Sequence, residues 1–142
     1  MRVKLDPGAF MPERAHETDA GYDLKTPYDM ILPPTTTMHG TGWIVVDTGV
    51  HMEIPKGFCG LLVSKSGLNV KNHITGTGLV DSGYTGSIRV KLYNHTDEEH
   101  KFERGDKLIQ IVILPVHTPR LELAEEIDET ERGENGFGST GR

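Results

Sequence analysis

The chain has 142 residues, enough for one domain with a real core, and sets 15 Lys and Arg against 21 Asp and Glu for a net charge of −6. That balance excludes the basic face on which DNA and RNA binders depend, and no segment approaches the ~20 apolar residues of a membrane span. Its single cysteine excludes an internal disulfide, and no apolar run follows Met1-Arg2-Val3-Lys4-Leu5-Asp6, so a reducing, cytoplasmic setting is expected.

In chain order, the first short cluster is Ala20-Gly21-Tyr22-Asp23-Leu24, where Asp23 needs a partner if it is buried. Val50, Met52 and Ile54 then alternate with His51 and Glu53, a period-two strand ended by the turn Pro55-Lys56-Gly57. Cys59 follows in the apolar run Phe58-Cys59-Gly60-Leu61-Leu62-Val63 and reads as a buried structural thiol. Ser64-Lys65-Ser66-Gly67-Leu68 reads either as a polar turn or as a phosphate cradle of hydroxyl, ammonium and backbone N–H.

Gly78-Leu79-Val80-Asp81-Ser82-Gly83-Tyr84-Thr85-Gly86 places an acid and a tyrosine between glycines, just ahead of a strand. The expectation is a β-hairpin whose tip presents Asp81 and Tyr84, although turn geometry alone also accounts for Asp and Gly there. Asp81 can take a proton from water, and the Tyr84 ring can stack on a sugar or base. Ile88, Val90 and Leu92 alternate with Arg89, Lys91 and Tyr93 as a second clear strand. Gly105-Asp106-Lys107 leads into an apolar run from Leu108 to Leu114, broken only by Gln110 and ended by Pro115. Gln110 either faces solvent on the pleat or offers its amide to a ligand. The seven histidines are scattered, without zinc-site spacing. These strands and their Gly and Pro punctuation imply an all-β sandwich or barrel over residues 1–120.

Residues 121–142 form an acidic arm and a Gly-rich tail. Leu121 to Glu131 is the only stretch with helical character, and it reads equally as strand followed by linker. An extended arm advances ~3.3–3.6 Å per residue, enough to cross a small domain or reach a neighbouring subunit. The tail, Arg132-Gly133-Glu134-Asn135-Gly136-Phe137-Gly138-Ser139-Thr140-Gly141-Arg142, reads as a mobile lid for a phosphorylated, planar substrate. Its glycines let backbone N–H groups converge on an anion, Ser139 and Thr140 add hydroxyls, Arg132 adds a charged fork, and Phe137 offers a stacking face. A plain disordered terminus is the competing reading.

Together and in this order, the five clusters resemble the motifs of the trimeric dUTP pyrophosphatase (dUTPase) family, spanning Ala20 to Gly141. The resemblance implies a jelly-roll β-barrel in a homotrimer with shared active sites, and Mg²⁺-dependent hydrolysis of dUTP to dUMP and pyrophosphate. It implies that Asp81 activates the water that attacks the α-phosphorus, that Tyr84 packs on the deoxyribose, and that the backbone around Gly78 reads the uracil edge. Lys65, Ser66, Gly67 and Gln110 would then bind the phosphate chain. Arg132, Gly138, Ser139 and Thr140 would hold the γ-phosphate, with Phe137 over uracil. Asp23 would serve the metal through a bound water, consistent with the way Mg²⁺ retains waters on a triphosphate.

Three positions depart from the family pattern: Lys65 replaces an arginine and loses its bidentate fork, Asn135 replaces a glycine, and Thr75 stands in place of an asparagine. The alternatives are a dCTP deaminase, for which Glu53, Glu98 and Glu99 lie in no matching context, and a binding protein without catalysis. Intact Asp81 and tail residues argue against the second.

Overall fold

Among the described residues the period-two apolar pattern is realised as eleven strands and one short helix. The structure is a computed structural model in which residues 1–35 and 42–133 are described. In order the elements are β1 (Val3–Leu5), β2 (Gly21–Lys25), β3 (Met30–Leu32), β4 (Trp43–Asp47), β5 (Val50–Met52), β6 (Phe58–Ser64), α1 (Ser66–Asn72), β7 (Ile74–Thr75), β8 (Thr77–Asp81), β9 (Arg89–Asn94), β10 (His100–Phe102) and β11 (Lys107–Pro115). They pair in the orders β1-β5, β10-β3, β2-β11-β6-β8 and β4-β9-β7, every pairing antiparallel. The fold is all-β and of the jelly-roll class; its ladders form four separate sheets among the described residues and do not close into one barrel.

Alternation decides which face each strand buries. In β9, Val90 and Leu92 point inward between exposed Arg89 and Tyr93, and the buried Ile88 just precedes them. In β5, Val50 and Met52 join the core while Glu53 stays outside and Ile54 returns to it. Leu24, Leu32, Val46, Ile109 and Ile111 meet them there. Each fully buried side chain of this size contributes about 1.5–3 kcal/mol. β11 lies between β2 and β6, and a register shift between Lys107 and Ile109 brings consecutive Leu108 and Ile109 both into the core. Cys59 is buried and unpaired, as its apolar surroundings imply.

Two local expectations are overturned. Asp81 and Tyr84 do not crown a hairpin: β8 pairs with β6, while β9 pairs with β4 and β7. The glycine-bracketed turn is a corner between two sheets. Leu121 to Glu131 forms neither helix nor strand. Leu121, Leu123 and Ile127 are 97%, 105% and 91% exposed, so no buried face supports a short helix there. The helix arises instead at Ser66–Asn72, inside the polar cluster, and ends on His73 in the left-handed region at φ 53°.

Candidate functional site

The sheet β2-β11-β6 gathers three of the sequence clusters. Asp23 on β2 stands opposite Gln110 on β11, which stands opposite Val63 on β6. Lys65 follows at the end of β6. Asp23 is only 5% exposed and has the partners its burial demands: Lys65 Nζ donates to Oδ1, and Lys107 Nζ lies 2.7 Å from Oδ2. Burial pushes the Asp23 carboxyl up, but hydrogen bonds and charges from Lys107 and Lys65 outweigh it and hold the group below its ordinary value. The Lys107 ammonium is raised in turn by its bond to Asp23.

Gln110 is half-buried and lies against Gly21. A Cβ at Gly21 would come within 2.7 Å of its Oε1, so glycine at that position gives the amide its place. Ser66 and Gly67 are exposed at the start of α1, and no atom outside the local chain lies within 4 Å of where a Gly67 Cβ would be. The Ser64 hydroxyl accepts from the Gly76 N–H at 2.9 Å and donates to its carbonyl at 3.0 Å. It thereby ties the end of β6 to the strand that leads to Asp81. Thr75 bonds to His95 Nε2 at 2.7 Å.

The second cluster lies at the far end of the same sheet. Asp81 closes β8 opposite Cys59 of β6 and is exposed. The Tyr84 N–H donates to the Asp81 carbonyl at 3.2 Å, and Gly83 takes φ 90°, which a turn of this kind requires of its third residue. Tyr84 Oη donates to the Ser87 carbonyl at 2.9 Å, which lays the ring over Gly86. A Cβ at Gly86 would approach the ring Cζ to 2.6 Å. A cleft of ≈ 280 Å³ opens here, lined by Gly78, Leu79, Asp81, Tyr84, Arg89 and Lys91 among others. Lys91 sits 4.1 Å from the Trp43 ring and 4.9 Å from the Tyr93 ring, and Arg89 lies 3.4 Å from Asp47.

The structure thus joins Asp23, Lys65 and Gln110 in one place and Gly78, Asp81 and Tyr84 in another. Asp81 aligns with Cys59 and Gln110 with Val63, on opposite sides of β6. Four residues along the strand and two strand spacings across it separate them by roughly 16 Å. Arg132 belongs to the exposed arm. Phe137, Gly138, Ser139 and Thr140 lie outside the described residues. Lys107 and Gly86 were part of the quoted clusters but had no role in the sequence reading. The contact of Lys107 with Asp23, two residues along β2 from its register partner Lys25, and the ring that lies on Gly86 are absent from any periodic pattern.

No group of three His, Cys, Asp or Glu residues able to hold a metal occurs among the described residues. Likewise, no helix among them is long and apolar enough to cross a membrane.

Against known proteins, the dUTPase family model matches residues 8–141. A mitochondrial deoxyuridine 5'-triphosphate nucleotidohydrolase of Dictyostelium discoideum is 39% identical over 97% of this chain and 74% of its own. The dUTPase of Staphylococcus bacteriophage 80alpha, solved with dUPNHPP, superposes with TM-score 0.88 at 35% identity over 99% of this chain and 98% of that one. A mutant dUTPase from phage phi11 of S. aureus, solved with a structural Mg(II) ion, gives TM-score 0.77 at 33% identity over 88% and 96%.

Proposed function

The chain belongs to the dUTPase family and hydrolyses dUTP to dUMP and pyrophosphate, and from that premise we propose how its residues divide the work. Asp81 orients a water and takes its proton as the oxygen attacks the α-phosphorus and pyrophosphate leaves. Tyr84 packs on the deoxyribose and excludes a 2′-hydroxyl. The backbone around Gly78 reads the uracil edge. Ser66, Gly67 and Gln110 hold the phosphate chain, with Lys65 supplying positive charge beside them. Arg132, Gly138, Ser139 and Thr140 bind the γ-phosphate, and Phe137 covers the base.

Direct ligation of Mg²⁺ by Asp23 does not fit the donor set, because the ammonium groups of Lys65 and Lys107 already balance its charge and would repel a cation there. A metal carried by the triphosphate fits better, since phosphate oxygens and water then supply its shell. Asp23 retains lone pairs able to accept from one of those waters. Mg²⁺ supplies charge neutralisation on the phosphates when bound. The buried thiol of Cys59 is in keeping with a reducing, cytoplasmic setting.

One observation carries the assembly. A general base must lie within about 3 Å of the water it activates. Asp81 nevertheless stands roughly 16 Å from Gln110 along its own chain. The two halves serve one triphosphate only if different copies supply them, which is the reason for a homotrimer with shared sites. Subunit mixing tests this. An Asp81→Asn chain and a chain ending at Glu131, each inactive alone, are unfolded together and refolded. Mixed assemblies should regain dUTP hydrolysis. A mixture as inactive as its parts would mean that Asp81 and the tail of each site come from one and the same chain.

A further inference from the structure

The turn that carries Asp81 and Tyr84 is braced from outside by the β4–β5 corner. Thr48 Oγ1 donates to the Ile88 carbonyl at 2.7 Å, the Ile88 N–H donates to the Val50 carbonyl at 2.8 Å, and Ser87 Oγ donates to Asp47 Oδ1. The next brace is His51 on β5, opposite Lys4 of β1. Its Nδ1 lies 2.8 Å from the Thr85 carbonyl oxygen, and its Nε2 lies 3.1 Å from Asp6 Oδ2. A carbonyl and a carboxylate both accept, so both contacts are hydrogen bonds only when both ring nitrogens carry protons.

We infer that His51, as an imidazolium bridging Asp6 to the Thr85 carbonyl, is a positioning residue for dUTP hydrolysis that sets the placement of the neighbouring Tyr84 ring. The inference rests on the assignment of Tyr84 to the sugar. Thr85 is the residue next to Tyr84, so a carbonyl pinned here limits where the ring can swing. The cleft beside His51 is lined by Arg2, Lys4 and Glu53 with Val3, Met52 and Thr85. Arg2 is engaged by Glu53, and Lys4 lies 3.9 Å from Asp6. The bond to the Thr85 carbonyl and the bond and charge of Asp6 hold the imidazole above its ordinary value of 6.5, against desolvation and Lys4.

Because the value is raised, the bridge is complete below pH 6.5 and is lost as pH rises through the folded value. The neutral ring keeps one N–H for two acceptors. The carboxylate is the stronger acceptor, so Thr85 is the partner released. The expected signature is a rise in KM for dUTP with kcat unchanged.

The test pairs imidazole NMR on the full chain with kcat and KM for dUTP from about pH 6 to pH 9. Asp6→Asn should lower the His51 pKa and move the KM limb to lower pH by the same amount, leaving the kcat profile in place. His51→Gln should raise KM at low pH and abolish the limb. Titration of the substrate itself is common to every variant and cancels in the comparison. A His51 pKa indifferent to Asp6→Asn, a KM limb that does not follow it, or a limb that survives His51→Gln overturns the inference. Failure of the Tyr84 assignment has a different signature, a dUTP/UTP ratio of kcat/KM unchanged in Tyr84→Ala whatever His51 does.

Discussion

At the residue scale the proposed chemistry rests on one turn. Asp81 is exposed at the end of β8, and its carbonyl accepts the Tyr84 N–H, so the carboxylate and the ring share a rigid frame. Asp81→Asn keeps the shape of that frame but removes the proton acceptor. Its kcat should fall on the order of 10²–10⁴-fold while a non-hydrolysable dUTP analogue still binds; normal turnover would take Asp81 out of the mechanism. Tyr84 rests on Gly86 with no room for a Cβ between them. Gly86→Ala should therefore displace the ring without unfolding the corner. Both Gly86→Ala and Tyr84→Ala should narrow the dUTP/UTP ratio of kcat/KM. A ratio unchanged in both would place sugar selection elsewhere.

At the element scale, Asp23 fastens the loop after β6 and the start of β11 to β2 through Lys65 and Lys107. The Asp23 carboxyl is held below its ordinary value of 3.8, so the stability it contributes is present above that pH and is lost as pH falls through the depressed value. Asp23→Asn removes the charge and should cost about 1–3 kcal/mol at neutral pH, the scale of hydrogen bonds to charged groups. Denaturant titrations should show the difference between the two proteins shrinking as the medium is taken below pH 3.8. A difference that persists at all pH values would assign the brace to packing rather than to charge.

At the scale of the whole molecule, the sheet keeps the two residue clusters apart, and residues 117–131 form neither helix nor strand. The separation of the clusters is what the proposed sharing of sites between copies rests on. A chain ending at Glu131 should retain the core fold and the proposed trimer by light scattering yet lose most turnover, since the proposed donors from Arg132 to Thr140 are gone. Full activity in that chain would remove the tail from the site. A fully active monomer would end the shared-site reading altogether.

The amino-acid order by itself determined what depends on local periodicity and on residue type. Ile88, Val90 and Leu92 announced β9, Val50 and Met52 announced β5, and the apolar run from Leu108 to Leu114 announced β11. The five polar clusters named the family because their chemistry lies in short contiguous segments. Tertiary structure alone decided what depends on pairing between distant segments. The β8 and β9 strands flank a tight turn, yet their partners are β6 and β4, so a local hairpin pattern gave way to a corner. The stretch from Leu121 to Glu131 had helical character and read equally as strand followed by linker, but a helix that short forms only against a surface, and Leu121, Leu123 and Ile127 meet none among the described residues. Asp23 demanded a counter-charge by being buried; only the pairing of β2 with β11 and the path of the chain after β6 decided which two lysines would provide it.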